Sequence, residues 1–210
     1  MSTLERPQLE VADIIHEYGD DYRQAHRLSP MQHGVLNAIS HCRTDILGGH
    51  IDQCNACGHQ HIAYNSCRNR HCPKCQGMDN IRWVKERENE LLPIQYFHVI
   101  FTLPHELNLL AQYNPALLYT ILIQSATETL QSFADKRWKG TLGITVVLHT
   151  WGQKLEQHIH LHTIVTGGVL THDKQRWINA PKNYLFKVEN LSTVYREKFC
   201  DKLKQAFERG

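Results

Sequence analysis

No stretch of this sequence stays apolar for the roughly 20 residues that a membrane-crossing helix requires. The start, MSTLERPQLEVADII, is charged throughout and has nothing of a secretory leader. The expectation is therefore a soluble, cytoplasmic protein. Internal repeats and low-complexity linkers are also missing, so neither a repeat array nor a flexible tether organises the chain. Charge of one sign is scarce: 23 Lys and Arg stand against 21 Asp and Glu, a formal net charge of +2. A case for nucleic acid must then rest on local clustering and not on a global field. Cysteines are few outside one segment, since five of the seven fall between Cys54 and Cys75. A disulfide-stapled secreted domain would spread them, so a reducing compartment with a metal site is the better expectation.

What is abundant is histidine, 15 in 210 residues, which points to metal or proton chemistry. The length suits one large domain or a small one joined to a medium one. Helical patterns cover residues 8–26 and 30–42, the second opened by Ser29 as N-cap and Pro30 at the first helical position. A cysteine-rich, turn-rich stretch runs from Gly48 to Gly77, and an amphipathic helix from Met78 to Leu92 is closed by Pro93. Beyond it the character changes to strands at 95–104, 143–151 and 158–170 and helices at 105–135 and the chain end. The predicted class is α+β, with a zinc-binding, DNA-binding domain over 1–92 and a second domain over 93–210.

Cys54-x-x-Cys57 and Cys72-x-x-Cys75 are separated by 14 residues, a spacing that predicts a four-thiolate structural Zn²⁺ site. Gly58 and Pro73 supply turn chemistry of the kind that points both thiolates of a pair at one ion. Cys67 could replace one of the four, bind a second ion with His59, His61 or His71, or stay a free thiol. Cys42 and Cys200 read as isolated packing residues. Between and after the ligands come Arg68, Arg70 and Lys74, then Arg82, Lys85 and Arg87. Ligands must face inward, so these cations are forced outward, where they can meet phosphates.

In HIHLHTIV (158–165) alternate histidines share one strand face. If this strand pairs with 143–151 through a turn at Lys154–Leu155, opposing residue numbers sum to 309 and His149 faces His160 and lies diagonal to His162. Three imidazoles then converge on one ion with coordination positions left open. Such a site serves either a metal-hydroxide hydrolase or a divalent ion acting on a scissile phosphate attacked by a protein nucleophile. A hydrolase wants a nearby carboxylate, and Glu156 in the turn is expected to lie too far along the strand.

His160-Leu161-His162 resembles the His-hydrophobic-His (HUH) signature of rolling-circle single-strand endonucleases, and His149 has the spacing of the third ligand in related conjugative relaxases. CRTDILGGHIDQCNACG, SCRNRHCPKCQ, FHVIFTLP, LHTWGQKLEQHIHLHTIVTGG and STVYREKF together are similar to zinc-domain-bearing transposases of rolling-circle insertion sequences, the ninety-one group. The resemblance implies an HUH-nuclease-like antiparallel sheet with flanking helices, and Mg²⁺ or Mn²⁺ held by His160, His162 and His149. It further implies a tyrosine that nicks single-stranded element ends and stays joined to the 5′-phosphate, with bacterial, nucleoid-associated action. In the family the nucleophiles occupy a Tyr-x-x-x-Tyr segment, and no such pair follows residue 162; only Tyr184 and Tyr195 do. Tyr195 reads as a packing residue. The expectation is a C-terminally truncated chain that binds DNA and metal without cleaving, its rivals being a non-catalytic DNA-binding module and a zinc-dependent hydrolase.

Overall fold

A computed structural model describes residues 9–154 and 156–209, so Gln8 of the first expected helix and Leu155 of the expected turn lie outside the described residues. The chain divides into two compact units, one ending at Leu91 and the other beginning at Leu92. Among the described residues, no helix is long and apolar enough to cross a membrane.

The first unit opens with α1 (Val11–Ala25) and α2 (Pro30–Ser40), which pack on each other. Ser29 caps α2 reciprocally: its hydroxyl accepts the Gln32 N–H at 3.3 Å, and the Gln32 side chain accepts the Ser29 N–H at 2.8 Å. The stretch expected to be turns contains a hairpin, β1 (Gly49–Gln53) and β2 (Gln60–Tyr64), with Gly49 opposite Tyr64 and Gln53 opposite Gln60. Its base is tied down where Arg43 N–H donates to the Asn65 carbonyl and Asn65 N–H to the Gly48 carbonyl, both at 3.0 Å. At its tip Gly58 takes φ +72° and donates its N–H to the Cys54 carbonyl at 2.8 Å, a left-handed turn that favours glycine. The third helix, α3 (Pro73–Asn89), starts before the expected Met78 because Pro73 takes the first helical position, where its missing N–H costs nothing. The buried core of this unit is small: Ala12, Ile39, Cys42 and Cys72.

In the second unit β3 (Tyr96–Thr102), β5 (Ile144–Trp151) and β6 (Gln157–Thr166) form an antiparallel sheet ordered β3-β6-β5. The expected helical stretch is two helices, α4 (Asn108–Tyr113) and α5 (Pro115–Trp138). Pro115 lacks the N–H that would continue α4 and instead opens α5. The strand expected over 158–170 is broken at Gly167 into β6 and β7 (Gly168–Thr171), and β7 joins a small sheet with β4 (Gly140–Thr141) and β8 (Trp177–Asn179), two strands too short to show a period in the sequence. The last helix is α6 (Val188–Glu208). Ile159, Leu161 and Val165 of β6, with Phe101 of β3, pack against Leu118, Leu122, Ala126 and Leu130 of α5 and Leu191 and Phe199 of α6. Each such leucine or phenylalanine contributes about 1.5–3 kcal/mol on burial. One face of the large sheet is thereby committed to the core, and the alternate residues of β6, His158, His160, His162 and Ile164, remain partly or fully exposed.

Candidate metal centres

The four thiols that converge are Cys42, Cys67, Cys72 and Cys75, with their sulfur atoms all within 4.8 Å of one another. Cys75 Sγ lies 3.5 Å from Cys42 Sγ and 3.6 Å from Cys67 Sγ. A tetrahedron with Zn–S bonds of about 2.3 Å has sulfur–sulfur edges of about 3.8 Å, so the quartet fits zinc with little rearrangement. Backbone donors already point at the sulfurs: Cys67 N–H at Cys42 Sγ and Asn69 N–H at Cys67 Sγ, each at 3.5 Å. Arg68 between them takes φ +51°, which turns the chain back on the sulfur. Burial by itself raises the Cys75 thiol, but hydrogen bonds from Cys42, Cys67 and Cys72 outweigh it and bring the group down to about 7, which favours the thiolate form that a metal takes.

This corrects the quartet expected from spacing. Cys54 and Cys57 do not join Cys72 and Cys75; both are exposed at the tip of the β1–β2 hairpin, where Cys54 is held by Cys57 and the Ala56 backbone. Strands β1 and β2 separate the tip from the hairpin base, and five residues at about 3.3 Å each carry the chain roughly 16 Å from it. Cys42 and Cys67 lie beside that base and take the two places. Cys42 is therefore no isolated packing residue, while Cys200 is exposed on α6.

The second cluster is His149, His160 and His162, with ligand nitrogens within 4.8 Å of one another. The ladder runs from Ile144 opposite Val165 to His149 opposite His160, following the expected register, and a bulge after His149 sets Trp151 opposite Gln157. His160 Nδ1 lies 2.9 Å from the His158 carbonyl oxygen. A carbonyl only accepts, so His160 carries its proton on Nδ1 and keeps the Nε2 lone pair for an ion. His158 takes part through that carbonyl, its exposed ring standing outside the convergent three.

His98 on β3 was not singled out from the sequence, yet its Nε2 lies 2.8 Å from His162 Nδ1. β3 pairs with β6 so that Ile100 faces His162 and His98 sits one diagonal away on the same exposed face. When His162 donates from Nδ1 to His98, its Nε2 lone pair is free, which is the tautomer that ligation through Nε2 would require. Desolvation first, then the neighbouring His149, His160 and His98, lowers the His162 pKa and favours the neutral ring that a metal needs. Glu156 lines the cavity beside His149, His158 and His160 but is not one of the convergent groups.

Tyr195 lies with the core, not with the imidazoles. Its ring packs 4.8 Å from Phe101, whose side chain leaves β3 on the face opposite His98. Its hydroxyl is buried without a partner among the described residues, and burial pushes its pKa well above the usual phenol range.

Residues 14–103 match the family described as transposase zinc-binding domain, in its ninety-one-group form, and residues 143–210 match the one described as "Putative transposase". The chain belongs to the ninety-one group of insertion-sequence transposases. It is 46% identical over 204 residues to "Putative transposase y4qJ" of Sinorhizobium fredii, covering 96% of this chain and 51% of the relative. It is 31% identical over 159 residues to the transposase for insertion sequence element IS801 of Pseudomonas savastanoi pv. phaseolicola, covering 69% of this chain and 38% of the relative. This transposase-family chain thus spans about half the length, or less, of those curated relatives. Among solved structures it is similar to the conjugative relaxase TrwC in complex with mutant oriT DNA, at a TM-score of 0.44 and 16% identity over 52% of this chain and 44% of that one.

Of the six cations expected to face DNA, Arg68, Arg70, Arg82 and Lys85 are exposed. Arg82 stands 3.7 Å from Asp79 one turn away. Lys74 is committed to an ion pair with Glu10, and Arg87 to one with Glu90 at 2.6 Å while its guanidinium lies over Trp83.

Proposed function

We propose that this chain is the zinc-binding and HUH part of a DNA transposase that acts on single-stranded element ends in the bacterial cytoplasm, at the nucleoid. Zn²⁺ is held by Cys42, Cys67, Cys72 and Cys75 and is structural, since two of its ligands are the buried centre of the first unit. Mg²⁺ or Mn²⁺ is held by His149, His160 and His162 and, when bound, neutralises charge on a scissile phosphate. The observation that carries this reading is the three imidazoles on the exposed sheet face, with Nε2 of His160 freed by the His158 carbonyl. Arg68, Arg70, Arg82 and Lys85 contact phosphates, so their binding weakens with salt; Lys74 and Arg87 chiefly hold the local fold. Tyr195, on the core face, positions Phe101 and takes no part in strand transfer.

The test pairs Mn²⁺ titration, followed by electron paramagnetic resonance, with anisotropy of labelled single-stranded oligonucleotides. His162→Ala should lose Mn²⁺ affinity, Tyr195→Phe should match the parent in metal and DNA binding, and no covalent adduct should form. Mn²⁺ binding that survives His160→Ala and His162→Ala would sink the metal assignment. An adduct abolished by Tyr195→Phe would make that tyrosine a nucleophile after all.

A further inference from the structure

Beside the imidazole cluster lies a cavity of about 600 Å³ bounded by His149, Trp151, Gln153, Lys154, Glu156 and His158 among others. Trp151 has no packing role that accounts for its position: it is 52% exposed at the end of β5. One face of its indole lies nearly parallel to the His149 ring, with an interplanar angle of 10° and centroids 5.4 Å apart. The bulge after His149 resets the strand so that Trp151 is opposite Gln157 and follows His149 on the same side. The exposed indole therefore lies parallel to the His149 ring and lines the same cavity.

We infer that Trp151 is a stacking platform for the nucleobase next to the phosphate held at the histidine cluster; this rests on the reading of that cluster as a phosphate-binding metal site. Three observations converge on a nucleotide. An aromatic face accepts any base, because every base has a π-face. The ring sits immediately beside His149, and in a nucleotide the base is likewise only a sugar away from its phosphate. The remaining walls carry both hydrogen-bonding types, Lys154 for a phosphate oxygen and Glu156 and Gln153 for base edges. A Trp held by a ligand imidazole also fixes the distance from stacked base to metal, so the base registers which phosphate reaches the ion.

The test uses an oligothymidylate of about 12 nucleotides and a backbone of the same length in which every base is removed, each titrated by anisotropy with Mn²⁺ present. Wild type should bind the base-bearing strand more tightly than the abasic one. Trp151→Ala should weaken the thymidylate about tenfold, leave the abasic strand within about twofold and so erase the difference, consistent with the usual worth of one stacked base. Trp151→Phe should restore most of the loss. Mn²⁺ affinity, read separately, should be unchanged in both variants. Wild-type thymidylate affinity in Trp151→Ala overturns the platform while leaving the metal site standing. Mn²⁺ lost together with DNA in that variant would make Trp151 a support for His149 and also overturn it. Failure of the wild type itself to hold Mn²⁺ would instead remove the metal reading on which the platform rests.

Discussion

Cys42 and Cys54 carry the same side chain and meet opposite environments, one fully buried among three other sulfurs and the other exposed at a hairpin tip. Cys42→Ser should therefore lose bound zinc after dialysis, measured by metal analysis of the purified protein, while Cys54→Ser retains one ion per chain. The reverse result would restore the quartet read from spacing. That spacing made the chemistry legible, four thiolates for zinc, without making the partners legible. Counting residues between C-x-x-C pairs treats the intervening chain as a loop, whereas residues 49–53 and 60–64 pair as strands and carry the first pair away. Nothing local to Cys42 marks it as a ligand; only the closure of the hairpin base through Arg43 and Asn65 brings it beside Cys67.

At the scale of the element, β5 and β6 were readable because alternation and a short polar turn leave one register that buries Ile159 and Leu161. The third strand was readable as a strand but not as a neighbour of the site. A single histidine in FHVIFTLP says nothing until β3 lies along β6, and that pairing joins residues 64 apart in sequence. With the pairing known, His98 becomes the group that orients His162. His98→Ala should lower Mn²⁺ affinity about 10–100-fold, the usual cost of losing an outer partner of a ligating imidazole. His98→Gln, whose side-chain oxygen can accept from Nδ1, should recover much of it. Equal affinity in the alanine and glutamine variants would assign the effect to packing alone.

For the whole molecule, the two units differ in what holds them together. The second has an extensive apolar core spread over α5, α6 and three strands, whereas the apolar core of the first is, among the described residues, Ala12, Ile39, Cys42 and Cys72, two of which are proposed zinc ligands. Small units of this kind draw their folding free energy from the metal. Thermal unfolding with zinc present should show two transitions, and a chelator should abolish the one belonging to the first unit without shifting the other; a single chelator-insensitive transition would contradict this. In the second unit a different economy operates, because β6 supplies both the middle of the core and two of the three imidazoles. Inserting or deleting one residue inside β6 would put the strand on one side of the change out of phase, turning its core residues outward and its histidines inward. Such a lesion would not yield an inactive but well-folded protein. Surviving sequence variants of this strand must therefore preserve length before they preserve side chains, and decay of the gene by small in-frame indels would erase foldability and metal chemistry in the same step.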